Sequence, residues 1–245
     1  MPITPTWRQN HLLAALPAEV QDRLVPHLEF EQMQLGKVLY ESGEPLRHVY
    51  FPTDSIVSLL YVMEDGASAE ISVVGNEGLI GLSVFMGGES TSSRALVQSG
   101  GAAYRLEGHR LKKEFKNHSQ MMLLLLRYTQ SLITQIAQTA VCNRHHTIDQ
   151  QLCRWLLLSL DRLPSNKLIM TQELIANMLG VRREGVTLAA GKLQKLNVIE
   201  YKRGHIKVID RPKLEALCCE CYAVVKKETD RLLPYVPQRQ THRCE

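Results

Sequence analysis

No apolar run in this sequence approaches membrane-spanning length; the longest candidate, Met121–Leu126, stops at Arg127. The N-terminus lacks the charged, apolar and small-residue succession of a signal peptide. A cytoplasmic protein with no membrane partner is therefore expected. Catalytic signatures are missing too: there is no phosphate loop, no HExxH and no Ser-His-Asp spacing. The adjacent His145 and His146 would project about 100° apart on a helix, a poor arrangement for one site. An enzyme is not expected. Nor are there internal repeats or low-complexity tracts that would point to a solenoid or a linker.

Cysteine is present but not in a metal pattern. The six cysteines are Cys142, Cys153, Cys218, Cys219, Cys221 and Cys244, and in a reducing compartment they stay reduced. Cys218 and Cys221 form a C-x-x-C, and with His242 and Cys244 they offer an alternative reading as a metal- or redox-dependent protein. Paired zinc-ligand spacing is absent, however. Leu214, Leu217, Cys221, Val224 and Val225 recur as one face of a helix, which makes the cysteines small apolar core residues. No metal ligand and no cofactor are expected on this reading.

At 245 residues the natural expectation is two domains, each with its own core. Charge divides the chain in the same way. Residues 1–142 carry 11 Lys and Arg against 14 Asp and Glu, and residues 143–245 carry 18 against 11. A basic C-terminal half fits a polyanionic partner. Residues 1–30 read as helical, with Pro17 starting a second helix. From Phe30 the period changes. Val38, Tyr40, Val49, Phe51, Ile56, Val57, Leu59, Tyr61, Ile71, Val73, Leu96 and Val97 fall in short strand-like runs separated by Leu35-Gly36, Ser42-Gly43, Asp65-Gly66, Gly75-Asn76 and Gly100-Gly101. Short strands with regular Gly turns and no interleaved helices indicate an antiparallel roll rather than a parallel sheet.

A long helix is expected next, at about 107–143, with a break near Asn117. Met122, Leu125, Leu126, Leu132, Ile133, Ile136 and Ala137 give it more apolar width than one stripe requires, which suggests a second subunit; full burial within one chain is the other reading. The hinge is expected around Asn143–Thr147. Beyond it, Leu152, Trp155, Leu156 and Leu160 mark an amphipathic helix, and Leu168–Met170 a short strand. The domains are thus read as 1–143 and 144–235, followed by a polar, disordered tail from Val236.

Met170–Leu196 reads as two short helices around a tight turn. Thr171 is the N-cap of the first, whose apolar face is Leu174, Ile175 and Met178. Gly180 ends it. Val186, Ala189, Ala190 and Leu193 form the buried side of the second. Asn197–Asp210 then places Val198, Ile199, Ile206 and Val208 around Lys202-Arg203-Gly204, a short hairpin behind that helix. The pattern is a winged helix-turn-helix, with Arg182, Arg183, Glu184, Thr187 and Lys192 on the outward side of the reading helix.

In this order of elements the chain resembles the Crp/Fnr family of bacterial transcription regulators over almost its full length. The most specific match runs through Ile175-Ala176, Leu179-Gly180, Arg183-Glu184, Val186 and Leu193. The resemblance implies an α+β protein: an N-terminal antiparallel β-roll sensor, a long dimerisation helix and a C-terminal winged helix-turn-helix. It implies a homodimer on a two-fold site in double-stranded DNA, with half-sites about one turn (~34 Å) apart. The residues matching Arg183 and Glu184 read base edges in the family. Arg can donate twice to guanine and Glu can accept from cytosine. Thr171 and its neighbour Gln172 would hold phosphate, and Lys202 and Arg203 would reach the backbone from the wing. A third family reading position, often Arg, is Leu188 here, suited to a thymine methyl.

EGLIGLSVF and SSRALVQ look like the phosphate-binding cassette of the cyclic-nucleotide-binding roll. Gly78 and Gly81 match its turn glycines, and Ser93-Arg94 its Arg-Ser pair in reverse order. Leu79 stands where a nucleotide-binding member has a ribose-contacting Glu. The effector implied at Gly78, Gly81, Ser93 and Arg94 is therefore an unknown small molecule other than classical cyclic AMP. A ligand-free roll kept as a dimer scaffold is the other reading. The first cysteine is Cys142, so the N-terminal cluster of the iron–sulfur members is lacking. RNA polymerase would be a further partner of an activator.

Overall fold

The computed structural model describes residues 6–233, and the polar tail from Val236, with His242 and Cys244, lies outside them. Helices α1 (His11–Ala14) and α2 (Ala18–Leu24) come first, with Pro17 at the N-cap of α2. Strands β1 (Glu29–Met33), β2 (Val38–Tyr40), β3 (His48–Pro52), β4 (Ile56–Val62) and β5 (Ser68–Val74) follow. The short α3 (Ser83–Met86) precedes β6 (Arg94–Ser99) and β7 (Gly101–Glu107). These strands form two antiparallel sheets, in the orders β1-β7-β3 and β2-β6-β4-β5. Each strand-like run expected from the sequence lies in one of them. β1 escapes the sequence reading because only Met33 of its five residues is buried, so no alternation marks it.

The helix expected at about 107–143, with a break near Asn117, is a strand end followed by two helices that part at His118. Glu107 closes β7, α4 (Gly108–Asn117) follows, and extended backbone at His118 separates it from α5 (Ser119–His145). The α5 helix lies against β5 through Gln135. The Val73 amide donates to its Oε1 (3.0 Å) while its Nε2 donates to the Val73 carbonyl (3.1 Å). One amide thus replaces a strand neighbour at the sheet edge, where unpaired backbone is costly when buried.

The C-terminal half contains α6 (Ile148–Leu160), β8 (Lys167–Ile169), α7 (Gln172–Leu179), α8 (Arg183–Lys195), β9 (Ile199–Lys202), β10 (His205–Val208), α9 (Arg211–Leu217) and α10 (Glu220–Leu232). Thr147 starts α6 with a reciprocal capping box to Gln150. The wing is a three-stranded sheet, β8-β10-β9. The expected helical face through Leu214, Leu217, Cys221, Val224 and Val225 does not form as one unit. Extended backbone at Cys218 and Cys219 divides α9 from α10, and Leu217 and Val224 are exposed.

Two cores result. One fills the roll around Phe51, Leu79, Ile80 and Leu106, and it is sealed by Met121, Leu125 and Tyr128 of α5. The other belongs to the winged half but extends into the roll: Trp155, Leu156, Ile175, Val186 and Leu193 share it with Ile56, Leu60 and Val73. The winged half is therefore docked on the β4–β5 face of its own roll. The α10 helix runs back along α5, where Gln130 donates to Glu228 (3.3 Å) and Ser131 meets Thr229 (2.9 Å). Among the described residues no helix is long and apolar enough to cross a membrane.

Candidate nucleic-acid interface

The reading unit is built from small buried residues under an exposed polar face. The Leu174 amide donates to the Thr171 hydroxyl (3.2 Å), satisfying one of the free donors at the start of α7. Gly180 ends that helix with φ at +64°, a left-handed conformation in which a side chain is strained. Ala176, Ala189 and Ala190 are buried, small enough for α7 and α8 to pack closely. Arg182, Arg183, Glu184, Thr187 and Lys192 are all exposed or nearly so at the surface, as is Leu188 at 68%. On the rim, Thr187 Oγ1 lies 2.8 Å from Gln172 Oε1 and 3.0 Å from the Arg183 carbonyl. Arg183 stands 3.9 Å from Glu173, a loose and largely solvated pair.

Two parts of the surface read from sequence sit apart from the start of α8. Lys192 Nζ is 2.6 Å from Asp149 Oδ2, tying α8 to the beginning of α6. Lys202 and Arg203 lie at the tip of the wing, with Arg203 at φ +51° and Gly204 at +80°. Arg182 is the N-cap residue of α8 and its side chain is exposed. The surface offered to a polyanion thus comprises the first turns of α8, the N-terminal end of α7 and the wing tip. It carries exposed basic and hydroxyl side chains together with Glu184, the residue types that hold phosphates and read base edges in DNA recognition.

The cassette residues are arranged differently. Gly78 is buried directly beneath the Tyr128 ring, so close that a Cβ there would collide with the phenol. The Tyr128 hydroxyl donates to the Leu79 carbonyl (2.8 Å), and burial pushes the phenol far above its ordinary range. Gly81, at φ +102°, packs against Val49. Ser93 is buried 3.1 Å from Thr91 Oγ1, whereas Arg94 turns outward to Glu41 (2.7 Å). The structure brings Gly78, Leu79 and Tyr128 together and leaves Arg94 on another face.

A polar seam that the sequence does not single out joins the two halves. Ser58 of β4 lies 2.5 Å from Glu70 Oε2 and 2.8 Å from Gln98 Oε1, and Gln98 Nε2 donates to Ser159 of α6 (3.1 Å). All four side chains are buried. Burial pushes the Glu70 carboxyl up to about 7, against the opposing pull of Ser58, Arg154 and Arg162. The hydrogen-bond arithmetic agrees: one Ser58 proton cannot serve two acceptors. With Glu70 protonated, the chain Glu70→Ser58→Gln98→Ser159 is complete. Beside it, the Arg162 side chain rests on Gly75 and donates to Glu77 (2.7 Å) as a nearly buried ion pair. Single polar residues within apolar runs such as IVSLLYV, RALVQS and LLLSL are the sequence trace of this seam.

Where α5 ends and α10 begins, Cys142, Cys219 and Cys221 come together with His146, whereas Cys218 lies at the margin of the group. The sequence reading of these cysteines as core residues on one helix missed this juxtaposition, because it depends on α10 folding back onto α5.

Two family models match the sequence: the cyclic nucleotide-binding domain over residues 30–118 and the Crp-like helix-turn-helix domain over residues 150–217. No curated protein matches. Among solved structures, FixK2 from Bradyrhizobium japonicum is similar with a TM-score of 0.66 at 17% identity, covering 78% of this chain and 98% of that one. The c-di-GMP-responsive global regulator CLP of Xanthomonas campestris gives 0.61 at 14%, covering 79% and 100%. A CRP-family transcriptional regulator from Thermus thermophilus gives 0.64 at 16%, covering 76% and 95%. At such identities these structures establish the fold.

Proposed function

With the chain a member of the Crp/Fnr family of transcription regulators, whose members bind DNA and act as dimers, we propose that it works as a homodimer reading a two-fold DNA site in the cytoplasm. The observation that carries this reading is the exposed face of α8, where Arg183, Glu184, Thr187 and Leu188 stand over a buried floor of Val186, Ala189 and Ala190. A second copy is supported by α5. Leu123, Leu126 and Ile133 are about half exposed, and with the exposed Ala137 and Ala140 they recur at steps of three, four and seven along one stripe, interrupted at Gln130, which bonds Glu228. That is the seam of a two-stranded helical pairing. The protein acts by binding, not by catalysis.

Arg183 and Glu184 read base edges, and Leu188 meets a thymine methyl. Arg182, Thr171, Gln172, Lys202 and Arg203 hold the backbone, with Lys192 at the far end of the reading helix. The signal enters at the roll and is not classical cyclic AMP. The filling of the cassette by Leu79 and Tyr128 and the outward ion pair of Arg94 support that reading. A bound effector would change the angle between the paired α5 helices and so the separation of the two reading heads. RNA polymerase is a partner if the protein activates.

Selection of bound sites from a randomised duplex pool tests the proposal. The expected product is a two-fold motif with half-sites one helical turn apart, lost in Arg183→Ala, with binding that weakens steeply as salt rises. Charged replacements at Leu126 and Ile133 are expected to yield monomers in sedimentation. Recovery of no motif, with or without candidate effectors, would overturn the reading.

A further inference from the structure

The four side chains at the junction of α5 and α10 place three sulfurs and one imidazole nitrogen within 4.8 Å of one another. Cys142 Sγ stands 3.6 Å from Cys219 Sγ, and Cys221 Sγ 3.5 Å from His146 Nδ1. With zinc bonds of about 2.3 Å to sulfur and about 2.0 Å to nitrogen, a regular tetrahedron has edges of about 3.8 Å between sulfurs and about 3.5 Å between sulfur and nitrogen. The observed separations are close to those edges. A four-iron cluster interposes several atoms between its ligand sulfurs and needs them farther apart than these are. All three cysteines are buried, and His146 is mostly so.

The surroundings suit ligation as well. His146 directs Nδ1 at the sulfurs, and its Nε2 lies 3.3 Å from the Glu220 carboxylate. A carboxylate on the second ring nitrogen is the usual device that fixes the tautomer of a metal-binding histidine and raises its basicity. Cys219 is the N-cap residue of α10, where the helix dipole favours a thiolate. We propose that Cys142, His146, Cys219 and Cys221 form a closed mononuclear zinc site with three thiolate ligands and one imidazole.

The location gives the site a purpose. Cys142 and His146 are at the end of α5, and Cys219 and Cys221 are at the start of α10. Between these pairs lie residues 147–218, which contain α6, the reading helices, the wing and α9. The metal ties the two ends of the winged domain together where it leaves α5 and where it returns to it. Closing a loop of that size removes much of the freedom of the unfolded or detached segment.

Metal analysis of the full-length protein purified under reducing conditions tests the assignment, followed by zinc and cobalt titration of the stripped protein. The expected results are close to one zinc per chain and, with cobalt, the intense visible and thiolate charge-transfer bands of a tetrahedral sulfur-rich site. Cys142→Ser and Cys221→Ser should weaken metal binding by more than the roughly 10–100-fold expected of Glu220→Gln, which acts only through the histidine. Cys153→Ser and Cys218→Ser should leave it intact, and His146→Cys should retain binding that His146→Ala loses. Failure of the wild-type protein to take up zinc or cobalt would overturn the proposal. So would full retention in a Cys142→Ser, Cys221→Ser double variant, or isolation with iron and sulfide in place of zinc.

Discussion

The reading head and the signal cassette meet the same demand, holding a few polar groups for a ligand, in opposite ways. On α8 the groups are exposed, Arg183 at the start of the helix is only loosely paired to Glu173, and their positions follow from a helix seated on small buried residues. In the roll the corresponding stretch is closed: Leu79 and Ile80 are core residues, Tyr128 covers Gly78, and Arg94 is committed to Glu41. One region is poised for a partner as it stands. The other would have to move a tyrosine and open a hydrogen bond before anything entered. On the proposed reading, a site that waits for a signal and a surface that meets DNA would call for this difference.

The hardest way to break the comparison is to cut what connects the regions. Trp155→Ala removes the largest side chain of the core shared by the winged half and β4–β5. The expected loss is about 3–5 kcal/mol of unfolding free energy, read by denaturant titration. If the two regions were independent, the roll and the winged half would each keep a separate transition, and only the second would shift.

Next in size is the response of the polar seam to pH. Glu70 has a folded-state value of about 7, above the ordinary 4.5, so the folded state holds the extra proton between those values. Its contribution is therefore most favourable below about pH 4.5 and declines as pH rises through 7. The full span is roughly 3 kcal/mol, from about 1.4 kcal/mol per pH unit. Glu70→Gln keeps the shape and carries no titrating proton, so the difference in stability between wild type and variant should slope across roughly pH 5–7. A flat difference would show that the carboxyl stays ionised in the folded protein.

Smaller effects sharpen the contrast between exposed and committed arginines. Arg183→Ala is expected to weaken specific DNA binding by about 1–3 kcal/mol and relax one base position in a binding assay. Arg94→Ala removes a half-exposed ion pair and should change thermal stability by less than about 1 kcal/mol. Lys202→Ala, at the wing tip, should weaken binding evenly across sequences and lower the salt slope by about 1. If Arg94 and Arg183 exchanged these behaviours, the two sites would have been assigned to the wrong faces.

What the sequence disclosed follows the range of the interactions concerned. The winged unit is written locally: the Thr171 cap, the Gly180 turn and the three-and-four spacing of Val186, Ala189, Ala190 and Leu193 lie within one short window. The roll appears as strand runs and glycine turns, but its sheet order depends on pairings such as Val49 with Leu106, which no local pattern encodes. The helix break at His118 was marked only near Asn117. The seam of Ser58, Glu70, Gln98 and Ser159 draws on three strands of one sheet and a helix beyond α5. The cysteine–histidine cluster is harder still, since Cys142 meets Cys219 only after α10 has folded back. The C-x-x-C drew the sequence reading to Cys218 and Cys221, but the helix break at Cys218-Cys219 selects Cys219 and Cys221.

The docking of the winged half onto its own roll is an intrachain event. Its equilibrium is set by the short connection at His146–Thr147 and does not change when the protein is diluted, whereas pairing of two α5 helices and occupation of DNA both follow mass action. A fluorophore pair spanning the two halves of one chain should therefore report the same distance from micromolar to nanomolar protein, over a range in which the proposed dimer would dissociate. The same chain would then answer a change of acidity at any abundance, but a change in its own amount only through how many pairs it forms.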